Sequence, residues 1–289
     1  MNNTFTIKRF GYIFKKDLLE NRKLYLLYFL TLLGLMALIT TFQTWNFYDS
    51  SSSAMGLDHS ELNIGLLSYL SFLFLGCGVF FASTFAMPMN SKLKRISYLV
   101  NPSSNFEKYL TRWIITTIGY ILAFFIALWV ADMVRVAICT FRSPDVDIKF
   151  IDLSKLFCPI DVNDSEHFNT IKGYMLPKMV FISMVSLYFL LQSIFILGST
   201  FWEKASFIKT FTAILALGFV YTMLHRWTIL LFYGNFEGYN NVLASYQISQ
   251  KVTQYQAIAF CCIIVSIFTL VFWTLAYFRI KESEIIKRI

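Results

Sequence analysis

LYLLYFLTLLGLMALITTF, residues 24–42, contains no charged side chain and a single glycine. It nearly matches the roughly 20 apolar residues that carry an α-helix across a bilayer. A second run, GLLSYLSFLFLGCGVFFASTFAM (residues 65–87), is equally uninterrupted and holds three glycines and several serines, small residues that let helices approach closely in lipid. The 289-residue chain is 57% hydrophobic and only 15% charged, where soluble domains carry about 25% charged residues. These features predict an all-α integral membrane protein with six transmembrane helices at 24–43, 64–88, 111–134, 177–200, 209–233 and 256–279. Pro177 suits the first turn of the fourth span, where a missing N–H costs nothing.

A net charge of +8 could signal nucleic acid in a soluble protein. Here the positive-inside rule accounts for it, and no nucleic-acid partner is expected. With the N-terminus inside, seventeen of the twenty-five Lys and Arg residues fall on one side of the membrane. Both termini are therefore expected to be cytoplasmic. The 44–63 loop has no Lys or Arg, as an outer loop should, and Asp58 with Glu61 resembles a capping box ahead of the second span. The first 23 residues are not expected to be a cleavable signal, because their charges are spread out and the run that follows is too long.

Two segments outside the spans carry pattern. Residues 5–20 (FTIKRFGYIFKKDLLE) repeat Ile7, Phe10, Phe14 and Leu18 along one helical stripe, with Lys8, Arg9, Lys15, Lys16 and Asp17 among the remainder. That spacing predicts an interfacial amphipathic helix, serving as a topogenic anchor or also touching a cytoplasmic partner. Between the second and third spans, SKLKRISYLVNPSSNFEKYLTRW (91–113) places Lys92, Lys94 and Arg95 beside Ile96, Tyr98 and Leu99. Asn101-Pro102 halts that short helix, and Ser104 with Glu107 forms an S-x-x-E box that starts another. A basic loop satisfies the charge rule alone; the stop and capped restart favour a docking surface formed by Lys92, Lys94, Arg95, Tyr98, Leu99 and Glu107.

The order of these elements, and the phrase KRISYLVNPSSNFEKYLTRW in particular, resembles the membrane subunit of bacterial ABC transporters of the ABC-2 type. The architectural likeness covers nearly the whole chain and the distinctive phrase about twenty residues. The resemblance implies a permease subunit, by the habit of that class an exporter, in the cell inner membrane. Residues 1–23 would hold the elbow helix, with Phe10, Phe14, Lys15 and Lys16 on it. Residues 90–110 would be the cytoplasmic coupling segment and 234–255 a short outer hairpin. A separate ABC-type ATPase would bind ATP and Mg. A second permease copy or homologue would complete a dimer, with membrane lipid around it.

The remaining residues add little chemistry. The chain has no Walker loop, no H-E-x-x-H and no G-x-S-x-G, so neither a catalytic nor a metal site is expected and ATP hydrolysis falls to a partner. The 140–176 loop is acidic but lacks the central glycine of a calcium loop, and reads as a solvated outer loop. Cys139 and Cys158 could meet outside the membrane, which spacing alone leaves open. Asp132 and Arg135, one turn apart, should pair at the outer end of the third span and reach water. His225 and Arg226 in the fifth span either snorkel to the interface or line a polar conduit. Glu203-Lys204 offers a second, smaller inner contact. The rival to a transport subunit is a membrane scaffold or sensor-partner protein without a transport role.

Overall fold

The computed structural model describes residues 5–51, 59–89, 96, 98, 103–142, 150–151, 176–202, 204–234 and 254–286. Among them regular structure is entirely helical: α1 (Ile7–Glu20), α2 (Arg22–Ser51), α3 (His59–Ser83), α4 (Asn105–Ile114), α5 (Tyr120–Arg142), α6 (Leu176–Phe201), α7 (Ser206–Tyr233) and α8 (Gln254–Ile286). A 3-10 turn at Met87–Met89 follows α3, and a π-helical turn at Ile115–Gly119 joins α4 to α5. Among the described residues six helical stretches are long and apolar enough to cross a membrane, and each overlaps one of the apolar runs of the sequence. The chain is an all-α multi-pass membrane protein preceded by the amphipathic α1.

The boundaries differ from the hydropathy reading in two informative places. α2 continues to Ser51 and α3 already starts at His59, so most of the expected 44–63 loop is helix. Hydrogen bonding along a helix does not stop where apolarity stops, and Thr44, fully buried, donates its hydroxyl to the Thr40 carbonyl. Asp58, the expected cap, lies outside the described residues. The third span begins at Asn105 rather than 111, because the capped α4 runs without a break into the apolar stretch.

Lipid tails are as apolar as leucine, so spans associate through close packing rather than through a hydrophobic drive. Two cores result. One gathers Met36, Leu66, Leu70, Phe74, Phe124 and Tyr188 from α2, α3, α5 and α6. The other joins Val79 of α3, Phe85 of the turn that follows it, Tyr109 of α4, Ile196 of α6 and Ala276 of α8. Glycine is required at two of the closest approaches. A Cβ on Gly78 would come within 2.7 Å of the Tyr188 ring, and the space beside Gly198 is filled by the Thr210 side chain. The fifth and sixth spans stay at the outside: 6% of each apolar window is buried, against 44% for the second and third.

Candidate functional site

The capped restart holds together a dense polar cluster. Ser104 has extended backbone and accepts from the Glu107 N–H at 3.2 Å, while Glu107 accepts from the Ser104 N–H at 3.1 Å, completing the predicted capping box. The same carboxylate then reaches across to α1. Arg9 grips it with two nitrogens, Nε at 2.7 Å and Nη2 at 2.8 Å, and the Thr6 N–H donates at 3.0 Å. The Thr6 N–H would otherwise be one of the orphan donors at a helix start. The Arg9 guanidinium is raised above its ordinary value by these bonds to Glu107 and stays charged.

A second link lies one to two turns further along the third span. Arg112 meets Asp17 at 2.7 Å and donates to the Tyr25 hydroxyl at 3.0 Å, and that hydroxyl donates to Asp17 at 3.2 Å. Asn21, at the turn between α1 and α2, donates its side-chain amide to both the carboxylate and the carbonyl of Asp17. Burial pushes the Asp17 carboxyl up, while Arg112 and the Tyr25 hydroxyl pull it back part of the way. Glu107 thus holds the start of α1 and Arg112 holds its end.

The opposite flank of α4 is aromatic. Tyr109 donates to the Trp273 carbonyl of α8 at 3.0 Å, Trp113 meets Trp273 edge to face at 5.1 Å, and Tyr109 meets Tyr277 at 5.7 Å. Helix α4 is therefore a joint: ion pairs tie it to α1, the Arg112–Tyr25 hydrogen bond ties it to α2, and rings tie it to α8. Just beyond it, Gln192 of α6 donates to the Thr117 hydroxyl inside the π-turn, and both side chains are buried.

The expected site residues divide among several environments. Lys92, Lys94, Arg95 and Leu99 lie outside the described residues, as does Glu203. Tyr98 is half-buried, with the Lys108 ammonium 5.5 Å from its ring centre. Glu107 does not form an exposed face: it is fully buried, because Arg9 crosses over it. Phe10 and Phe14 sit half-buried along α1 with rings 6.3 Å apart, Lys15 is exposed, and Lys16 pairs with Glu20 at 3.7 Å. His225 and Arg226 are exposed on the outside of the bundle, so within one chain they line no internal conduit. Cys139 is buried and Cys158 lies outside the described residues.

At the far end of the third span Asp132 and Arg135 pair at 2.7 Å, as their spacing predicts. They do not reach water. Arg135 is 1% exposed, and Asp132 takes its second bond from the Ile151 N–H at 3.0 Å. Among the described residues no three His, Cys, Asp or Glu side chains gather as a metal site would require.

Sequence reasoning missed the roles of Asp17, Tyr25, Arg112 and Gln192. The available signals were an acid, Asp17, at the end of the basic stretch of the amphipathic helix and a lone Gln in an apolar run, since polar groups in spans are expensive to leave unpaired. Family models, characterised proteins and solved structures give no match to this chain.

Proposed function

We propose that the chain is the membrane-spanning permease subunit of an ATP-driven exporter, powered by a separate nucleotide-binding chain. The observation that carries this reading is the double tie of α1 to the third span through Arg9–Glu107 and Asp17–Arg112. A push on the interfacial helix, or on the basic segment that precedes Ser104, would be delivered to a transmembrane helix with little loss. Buried charge pairs with good geometry shift as a unit rather than bending. In this reading the chain sits in a bacterial inner membrane with both termini cytoplasmic, and Lys92, Lys94, Arg95, Tyr98 and Leu99 meet the ATPase.

Two copies, or one copy and a homologue, would form the conduit around a two-fold axis. The sparsely buried fifth and sixth spans leave surface for that second subunit, and Arg226 there would gain a polar environment.

The test is co-purification of the chain with a candidate ABC-type ATPase from the same cell. Lys94→Glu with Arg95→Glu should abolish complex formation. Glu107→Gln should leave the complex intact while uncoupling ATP hydrolysis from cargo movement in vesicles. A complex and ATPase rate indifferent to the charge reversal would overturn the docking assignment and favour a scaffold role.

A further inference from the structure

A cavity of about 330 Å³ opens beside the Asp17–Arg112 tie. Its walls include Leu18 of α1, Tyr25, Phe29 and Leu35 of α2, Cys77 of α3 and Tyr120 of α5. Leu35 and Phe80, which also lines it, are exposed, so the cavity faces the outside of the bundle, where a bilayer lies. From Tyr25 to Leu35 it runs ten residues of α2, about 15 Å at the helical rise. That is one leaflet of a hydrocarbon core roughly 30 Å thick. An apolar slot of this depth takes a hydrocarbon chain and offers almost nothing to a polar solute.

The α1 end of the slot is basic. Lys15 precedes Leu18 by three residues and so shares its face of α1, while Arg22 shares with Tyr25 and Phe29 the lining face of α2. Both cations are exposed, and neither forms an ion pair among the described residues. The neighbouring acids are already engaged, Asp17 by Arg112 and Tyr25 and Glu20 by Lys16. An apolar slot one leaflet deep beneath two unpaired cations fits a single class of ligand.

We propose that this slot holds one acyl chain of an anionic phospholipid, with the headgroup phosphate on Lys15 and Arg22. The occupant would wedge between α2 and the third span next to the Asp17–Arg112 tie, so lipid charge would bear on the joint itself. The proposal rests on the membrane fold and is independent of the transport reading.

The test reconstitutes the full chain in phosphatidylcholine vesicles containing, at equal low mole fraction, diazirine-acyl phosphatidylglycerol or diazirine-acyl phosphatidylcholine. Photocross-links should concentrate on residues 25–35 and 77–81. The glycerol lipid should exceed the choline lipid by about fivefold or more, the scale set by one basic residue at an anionic surface. Lys15→Ser with Arg22→Ser should bring the two lipids to parity without changing the melting temperature. Thr31→Trp, on the exposed rim, should reduce cross-linking at 77–81 from both lipids. Equal yields in the parent chain, or a preference that survives the double substitution, would mean annular lipid only and would overturn the proposal.

Discussion

The two ends of the third span use the same chemistry for different purposes. At the far end, Asp132 and Arg135 belong to one helix turn, and their partner Ile151 contributes only a backbone N–H. Near Asn105, Glu107 and Arg112 each hold a side chain from another helix, reached across 98 and 95 residues of chain. The first arrangement neutralises a charge that the helix itself carries. The second fastens separate elements together. A pair that is local in sequence can be removed with its partner and leave the fold as it was; a pair between elements cannot.

Removing single partners should give the largest effects. Arg135→Met strands Asp132 in a buried site and should destabilise the protein by about 4 kcal/mol, read by unfolding in mixed micelles. Adding Asp132→Asn should recover most of that loss. Arg112→Met should cost about 3 kcal/mol, somewhat less because Asp17 retains Tyr25 and Asn21. Here the compensating Asp17→Asn should restore stability but not order: amide exchange across residues 7–20 should stay fast. Equal recovery of exchange at both ends would erase the distinction.

A smaller effect is expected at the cap. Glu107→Gln weakens the grip on Arg9 while keeping the shape, and should cost about 2 kcal/mol, with loosening confined to the start of α1. Ser104→Ala removes one cap acceptor and should cost about 1 kcal/mol, without altering exchange in α1. If Ser104→Ala loosened α1 as much as Glu107→Gln, capping and clamping would be one function rather than two.

This contrast also marks what could be read from the sequence. The six spans were legible because twenty apolar residues in a row are a local signal. So were Ser104–Glu107 and Asp132–Arg135, whose spacings of three carry their geometry with them. The Arg9–Glu107 pair was not, because no spacing encodes which way α1 folds back over α4. From the sequence Glu107 reads as part of a docking surface for that reason: its role as a cap is readable, but not the arginine lying across it. The outward position of His225 and Arg226 depends on how α7 packs against its neighbours, through contacts such as Gly198 with Thr210. Helix pattern alone could not place them. The extension of α2 to Ser51 was hidden because hydropathy reports solvent preference, not hydrogen bonding.

The π-turn at Ile115–Gly119 has a consequence for how the two ends are aimed. Each residue turns a helix by about 100°, and a π-turn accommodates one residue more than the regular winding. The half of the span that carries Glu107 and Arg112 is thereby set at a different azimuth from the half that carries Asp132. Deleting one residue within 115–119 could leave an unbroken helix of nearly unchanged length, yet swing one set of charges away from its partners. The bulge is the phase setting of the third span, and Gln192, bonded to Thr117 within it, is the neighbour best placed to feel that setting change.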